Sequence, residues 1–173
     1  MILYIVRHGK TLWNELGLLQ GKTDIDLSEF GKKQALLIKS KIDKIDVCIS
    51  SPLKRAIDTA SIIYNGDIII DDRIIERGFG NLEGKEVINL KLKPYWDYKM
   101  NKSDNNVESV QDLFKRCKSF IDDLKNKYSD KTVLVVSHGA TVRALNYVIN
   151  GFNEDDDLLK LDVPNCAVFK YEI

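Results

Sequence analysis

The sequence has no excess of charge of either sign and no long apolar run. Its 26 basic and 26 acidic side chains cancel, so its composition favours neither nucleic acid nor an anionic membrane surface as a partner. No apolar stretch approaches the roughly 20 residues that a membrane-spanning helix needs. The apolar start of the chain runs directly into Arg7, which is not the pattern of a signal peptide. We therefore expect a cytoplasmic protein that binds no nucleic acid and no membrane.

Cysteine is also scarce. Cys48, Cys117 and Cys166 are widely spaced and odd in number, so they indicate neither a disulfide framework nor a paired metal-binding motif. Each lies in an apolar stretch, and we expect small buried thiols without a catalytic role. With 44% hydrophobic and 30% charged residues, the rest of the composition is typical of a globular protein. The length predicts a single domain over residues 1–173.

Only two histidines are present, and they occur in matching contexts. The apolar residues 1–6 lead into Arg7-His8-Gly9-Lys10-Thr11, and the apolar residues 132–136 lead into Ser137-His138-Gly139-Ala140-Thr141. Each apolar run has the pattern of a buried parallel strand, and open α/β sheets bind ligands at the carboxyl ends of such strands. A single histidine in this position is more often a packing residue. A matched pair predicts two imidazoles at one sheet edge, facing one phosphate.

Strands and helices are predicted to alternate along the whole chain. Further strands are indicated over 46–50, 67–70 and 166–173, with the last two at sheet edges. Helices are predicted over 29–42, from Ser51 to residue 63, from Ser109 to residue 124, and over 140–149. This alternation predicts a three-layer α/β/α sandwich with a mostly parallel central sheet and an antiparallel edge strand.

Three local predictions depend on short stretches. Over 29–42 the apolar face of the helix is expected to contain Phe30, Leu37, Ile38 and Ile42. Ser51 as N-cap, with Pro52 at the first helical position, predicts the start of the next helix. The acidic run 154–157 is expected to be a solvated helix start and not a metal site.

Arginine is rare beside lysine, with six arginines against twenty lysines. A guanidinium group binds phosphate through two parallel hydrogen bonds, which an ammonium group cannot. Arg7 precedes His8, and Arg55 falls in the first turn of a predicted helix, where a bound anion would suit it. Glu76 lies in a long glycine-containing loop over 72–84, and such loops are commonly functional. From the residues alone, Arg55 could equally be a surface residue and Glu76 an ordinary salt-bridge partner.

The chain resembles the histidine phosphatase superfamily, in its phosphoglycerate-mutase-like branch. The main motifs occur in the family's order and are Arg7-His8-Gly9, Ser-Ser-Pro-Leu-Lys-Arg-Ala at 50–56, Glu76 with Gly-Asn-Leu-Glu-Gly at 80–84, and Ser137-His138-Gly139. Further matches are Gln20-Gly21 with Asp24, Gly31 with Gln34-Ala35, and Pro164-Asn165. The resemblance covers nearly the whole chain, and the ordered set is far more specific than Arg-His-Gly alone.

The resemblance implies a metal-independent phosphomonoesterase that works through a phosphohistidine. His8 would be the nucleophile, and Glu76 would protonate the leaving oxygen and then activate water. The other residues would bind the phosphate and offset its charge, and they are Arg7, Asn14, Gln20, Gly21, Arg55, His138 and Gly139. Because the arginines supply positive charge, the resemblance implies no metal ion and no cofactor. The partner would be a small phosphomonoester, such as a sugar phosphate, a phosphoglycerate or α-ribazole phosphate.

Other functions stay open at this point. A cofactor-dependent phosphoglycerate mutase is the main alternative, but segment 85–106 is short beside the covering segment that such mutases carry, which favours the phosphatase. Lys10 stands where family members often carry Glu or Gln, so the preferred leaving group is open. A metallohydrolase using His8, His138 and Glu76, or a phosphate-sensing domain without activity, would fit the same residues.

Overall fold

A five-stranded sheet forms the centre of the computed structural model, which describes residues 1–173. The strands are β1 (Ile2–Arg7), β2 (Val47–Ser50), β3 (Ile68–Ile70), β4 (Thr132–Ser137) and β5 (Val168–Glu172). Their order across the sheet is β3-β2-β4-β1-β5. Strands β1 to β4 are parallel, and β5 pairs antiparallel with β1. The predicted mostly parallel sheet with an antiparallel edge strand is confirmed.

Helices cover both faces of this sheet. The single turn α1 (Leu12–Glu15) is followed by four longer helices: α2 (Glu29–Lys39), α3 (Lys54–Ile63), α4 (Val110–Lys127) and α5 (Gly139–Asn150). Short 3₁₀ turns lie at Asp72–Ile74, Gly80–Leu82, Val87–Asn89 and Lys93–Trp96. Helices α2 and α3 pack on one face of the sheet and α4 and α5 on the other, which is the predicted three-layer sandwich. None of the helices has both the length and the apolar character needed to cross a membrane.

The hydrophobic core is divided by the sheet into two parts. Successive side chains of a strand point to opposite faces. Leu3 and Ile5 of β1 therefore pack under α4 and α5, whereas Tyr4 and Val6 pack under α2 and α3. Because both faces of β1 are covered, its interior positions are all buried, as expected of a central parallel strand.

The two histidine motifs are brought together by direct pairing of β1 with β4. In this register Arg7 is opposite Ser137, and each strand ends at that residue. The next residues are His8 and His138, and the backbone N–H of His8 donates to the carbonyl oxygen of Ser137 at 2.9 Å. The prediction that both histidines lie at one edge of a parallel sheet is confirmed.

The apolar face predicted for the helix over 29–42 is confirmed at Ile38 and Ile42, which contact the core, and wrong at Phe30 and Leu37. Phe30 and Leu37 are 54% and 69% exposed, and the helix ends before the last predicted position. Its buried residues are Gly31, Ala35 and Ile38. A Cβ atom at Gly31 would lie 2.0 Å from the carbonyl oxygen of Lys10, so the helix backbone packs directly on the turn after β1. Close backbone contact here takes the place of large apolar side chains.

The predicted start of α3 is wrong by two residues. The helix has Leu53 at its N-cap position, and no side chain caps it. The hydroxyl of Ser51 instead lies 2.6 Å from Nε2 of His138. Arg55 keeps its predicted place in the first turn, but its side chain is fully buried, so it is not a surface residue.

Two smaller expectations also differ from the structure. The acidic run 154–157 was expected to start a helix, but it forms a turn that no helix follows. Separately, no group of three or more His, Cys, Asp or Glu side chains is arranged to hold a metal ion. Cys48 and Cys117 are buried as expected, and burial raises the pKa of each thiol to about 12. Cys166 is only partly buried, and burial raises its pKa to about 11.

Candidate active site

A cavity of about 120 Å³ lies at the carboxyl ends of the central strands. Seven of the nine predicted site residues line it: Arg7, His8, Asn14, Gln20, Gly21, Arg55 and Glu76. Four apolar residues that the sequence did not indicate complete the wall: Leu18, Leu19, Phe79 and Val87. His138 and Gly139 are not part of the wall. The cavity is small beside the roughly 300–1,000 Å³ of sites for drug-sized ligands, so it suits a small polar group.

The orientation of the His8 ring leaves one nitrogen unprotonated at the cavity. Its Nδ1 atom lies 2.7 Å from the carbonyl oxygen of Gly9. A carbonyl can only accept, so Nδ1 carries the proton and Nε2 keeps its lone pair. Burial, and then the positive charges of Arg7 and Arg55, hold the pKa of His8 well below its ordinary value. The imidazole is therefore neutral, with Nε2 as its nucleophilic atom.

The His138 ring lies beside that of His8 and has the opposite tautomer. The ring centroids are 5.1 Å apart, and the rings are tilted by 58°. Nδ1 of His138 accepts a hydrogen bond from Nε of Arg55 at 3.2 Å, so the proton is on Nε2, which faces the Ser51 hydroxyl. Burial is the main reason that the pKa of His138 also lies well below its ordinary value.

The Arg55 guanidinium is fixed by three hydrogen bonds. Besides the bond from Nε to His138, Nη1 donates to the carbonyl oxygen of Thr23 at 2.8 Å and Nη2 to that of Gly21 at 2.7 Å. A guanidinium has five N–H donors, so two make no hydrogen bond in the protein, although Nη1 also lies 3.9 Å from Oδ1 of Asp24. Because Arg55 lines the cavity, these two donors are available to an anion there.

Arg7 carries a buried donor without a partner. Its Nη1 donates to the carbonyl oxygen of Val163 at 2.6 Å, but Nε has no hydrogen-bond partner. An unpaired buried donor costs free energy, which an anion within hydrogen-bond reach would remove. A Cβ atom at Gly139 would lie 3.4 Å from both Nε and Cζ of Arg7. The glycine after His138 thus packs against the arginine and does not itself line the cavity.

The Glu76 carboxylate is held at the N-terminus of α5. Oε1 accepts from the backbone nitrogens of Arg77 at 2.8 Å and Thr141 at 3.1 Å. The Thr141 hydroxyl also lies 3.2 Å from Oε1, but it donates its proton to the carbonyl oxygen of Ile75 at 2.7 Å. Oε2 accepts only from the backbone nitrogen of Ala140, at 3.2 Å. A carboxylate is favoured at a helix N-terminus. Of its two oxygens, Oε2 has the greater capacity for a further hydrogen bond.

Asn14 is oriented by Asn165, a residue that the sequence did not assign to the site. Oδ1 of Asn14 accepts from Nδ2 of Asn165 at 3.1 Å and from the backbone nitrogen of Thr11 at 3.2 Å. Because Oδ1 is occupied, the NH₂ donor of the Asn14 side chain is the part that is available at the cavity wall. Asn165 also donates to the carbonyl oxygen of His8 at 3.1 Å. Its place in the Pro164-Asn165 motif was the only sequence signal for it.

Comparison with known proteins agrees with this geometry. The family model described as the histidine phosphatase superfamily (branch 1) matches residues 3–173. Phosphoserine phosphatase 1 of Hydrogenobacter thermophilus is 36% identical, over 99% of this chain and 84% of that protein. The metal-independent phosphoserine phosphatase of Arabidopsis thaliana is 31% identical, over 93% of this chain and 74% of that protein.

A solved structure adds to the comparison in three dimensions. A crystal structure of a histidine-to-alanine mutant of phosphoserine phosphatase from Entamoeba histolytica, in complex with phosphoserine, has a TM-score of 0.89 and 28% identity. The similarity covers 98% of this chain and 89% of that chain. The resemblance stated from the motifs is therefore confirmed. The chain belongs to the histidine phosphatase superfamily, branch 1.

Proposed function

We propose that the protein is a metal-independent phosphomonoesterase that hydrolyses a small phosphorylated metabolite through a phosphohistidine at His8. The observation that carries the proposal is the unprotonated Nε2 of His8 in a cavity that Arg7 and Arg55 also line. A neutral nucleophile is not repelled by these guanidinium groups, and a phosphate is attracted to them. The two arginines supply the positive charge that metal ions supply in many other phosphoryl transfers.

In the first step, Nε2 of His8 attacks phosphorus and the bond to the leaving oxygen breaks. Glu76, which enters this step as a protonated carboxylic acid, gives its proton to that oxygen, so an alcohol departs and a phosphohistidine remains. Oε2 is the atom we assign to this transfer, because it has only one hydrogen bond in the protein. The free donors of Arg7, Arg55 and Asn14 offset the charge on the non-bridging oxygens as the transition state forms.

In the second step, water replaces the alcohol. Glu76, now a carboxylate, accepts a proton from the water as its oxygen attacks phosphorus. The bond between phosphorus and Nε2 breaks, inorganic phosphate leaves, and His8 returns to its neutral form. His138 contributes through Arg55, whose Nε it binds, while its own Nε2 proton is donated to the Ser51 hydroxyl.

The substrate class that we propose is a small phosphomonoester, with phosphoserine as the first to test. Two relatives and one solved structure are named for phosphoserine phosphatase, which favours a phosphatase over a phosphoglycerate mutase. Sugar phosphates, phosphoglycerates and α-ribazole phosphate belong in the same panel. The apolar part of the wall, which includes Leu18 and Val87, is where substrates with different leaving groups would be distinguished.

The test is phosphate release from this panel and from a generic aryl phosphate, in excess chelator. We expect turnover by the intact protein that is lost in His8→Ala, with phosphate release faster than any isomerisation of phosphoglycerate. Activity that chelator abolishes would contradict metal independence. Turnover that survives in His8→Ala would contradict the nucleophile. Isomerisation that outpaces phosphate release and needs bisphosphate priming would replace the phosphatase by a mutase.

A further inference from the structure

The carboxylate of Glu83 joins two loops at the rim of the cavity. Oε1 accepts from the backbone nitrogens of Lys22 at 3.0 Å and Phe79 at 2.9 Å. Oε2 accepts from the backbone nitrogen of Thr23 at 3.0 Å and from its hydroxyl at 2.6 Å. Burial raises the pKa of Glu83, but these hydrogen bonds outweigh burial and leave the pKa below its ordinary value. Four donors thus converge on one half-buried carboxylate that does not itself line the cavity.

The loop over residues 20–23 lies between Glu83 and Arg55 and forms hydrogen bonds with both side chains. Thr23 gives its N–H and hydroxyl to Glu83, and its carbonyl oxygen accepts from Nη1 of Arg55 at 2.8 Å. The neighbouring Gly21 carbonyl accepts from Nη2 at 2.7 Å. Fixing this backbone therefore fixes the plane of the guanidinium and the direction of its two free donors.

Gly21 supports the same relationship independently. Its φ is +54°, and a Cβ atom there would lie 2.0 Å from Oε1 of Glu83. The loop backbone is therefore packed against the carboxylate with no room for a side chain between them. Such close contact transmits a change at Glu83 to the carbonyl that Arg55 binds.

We propose that Glu83 is a positioning residue of the phosphate site, which acts by holding the 20–23 loop so that Arg55 points its free donors into the cavity. The inference rests on the proposed function, because the anion concerned is the same phosphate. It extends that function to a residue outside the cavity wall.

The experiment measures binding of inorganic phosphate by titration calorimetry, which requires no turnover. Glu83→Gln keeps the shape of the side chain but replaces one acceptor oxygen by a donor and removes the charge. Losing charge-assisted hydrogen bonds should weaken phosphate binding about 10-fold or more. Glu86→Gln is the matched control, since Glu86 is an exposed glutamate of the same segment whose side chain hydrogen-bonds only to Asn89, and it should leave binding unchanged.

A second pair of variants tests the same link from the loop side. Thr23→Val removes the hydroxyl that binds Glu83 and should weaken phosphate binding, whereas Thr23→Ser keeps a hydroxyl and should restore it. This pair decides the question if Glu83→Gln does not fold. Glu83→Gln should also have little further effect on kcat/KM in an Arg55→Lys background, because both changes act on one group.

The inference is overturned if Glu83→Gln lowers the unfolding temperature but leaves phosphate affinity unchanged. It is also overturned if Glu83→Gln reduces kcat/KM by the same factor in the Arg55→Lys background as in the intact protein. These results would mean that Glu83 stabilises the fold without orienting Arg55. Failure of the proposed function has a different signature, which is His8-independent turnover or no turnover at all. If the protein binds phosphate in a Glu83-dependent manner but hydrolyses no phosphomonoester, the positioning role of Glu83 stands and the proposed phosphatase activity does not.

Discussion

Nε of Arg55 donates to Nδ1 of His138 across 3.2 Å, and this single hydrogen bond defines the state of both side chains. It keeps the proton of His138 on Nε2, and it fixes the guanidinium between the histidine and the 20–23 loop. A group with one rotatable ammonium cannot make these contacts and keep two donors for an anion.

Arg55→Lys should therefore be severe although it conserves charge. We expect kcat/KM to fall about 10²–10³-fold, the range for loss of a preorganised donor to a transition-state oxygen. Arg73→Lys is the matched control, because Arg73 forms ion pairs with Asp71 and Asp123 away from the cavity. The kcat/KM of this variant should equal that of the intact protein. An Arg55→Lys enzyme with more than half of the original kcat/KM would show that the planar set of guanidinium donors is not needed.

Asn165→Asp tests the orientation of Asn14. An aspartate at 165 would place carboxylate oxygens against the carbonyl oxygen of His8 and Oδ1 of Asn14, where a donor now lies. We expect the KM for an aryl phosphate to rise about 10-fold, since the unpaired oxygens cost about 1–3 kcal/mol. The same change at the exposed Asn150 should have no effect on KM. Equal kinetics in the two variants would remove Asn165 from the site.

Gly31→Ala tests the backbone contact between α2 and the turn after His8. The new Cβ would lie 2.0 Å from the carbonyl oxygen of Lys10, so one of the two segments must move. We expect a loss of about 1–3 kcal/mol in the free energy of unfolding, as for overpacked cores, together with reduced activity. Gly78→Ala, where a Cβ would meet only the Lys22 side chain at 3.5 Å, should cost much less. Similar losses in both variants would refute the close contact.

The two buried histidines predict a specific dependence of stability on pH. Because the pKa of each lies well below 6.5 in the folded state, the unfolded chain binds more protons as the pH falls through about 6.5. The free energy of unfolding should therefore decrease on acidification by up to about 1.4 kcal/mol per pH unit for each histidine.

Urea unfolding between about pH 5 and pH 7.5 measures this slope above the range where carboxylates titrate. Replacing one histidine, as in His8→Gln, should halve the slope, because the chain contains only two. The stabilisation by the two neutral histidines should be complete above the pKa of histidine in the unfolded chain, about 6.5, and should be lost as the pH falls below it. A slope that is unchanged in His8→Gln, or stability that increases on acidification, would contradict the neutral buried imidazoles.

The parts of the site that were predicted from the sequence are those that follow a strand directly. His8 and His138 were placed together because identical local patterns end two apolar runs, and the register of β1 with β4 brings them to one edge. Arg7 follows from the same pattern. Glu76 and Asn14 depended on the family resemblance, since nothing in their local sequence indicates which segment they contact.

The parts that could not be predicted are contacts between distant segments with no periodic signal. Asn165 and Asn14 are 151 positions apart, and Glu83 and Thr23 are 60 apart. The face of α2 was mispredicted at Phe30 and Leu37 because hydrophobic spacing favours large residues, whereas Gly31 packs by its backbone. Ser51 has the sequence pattern of a helix cap, but its hydroxyl contacts His138 instead.

Trapping the covalent intermediate tests the central claim most directly. The protein is mixed rapidly with an aryl phosphate, the reaction is stopped in base, and the phosphorylated peptide is identified by mass spectrometry. The phosphohistidine mechanism predicts a phosphoryl group on Nε2 of His8, formed before steady state. This group should be more abundant in Glu76→Gln with an activated leaving group, because hydrolysis then lacks its base. Steady turnover with no phosphoryl group on His8, or with the group on any other residue, would contradict it.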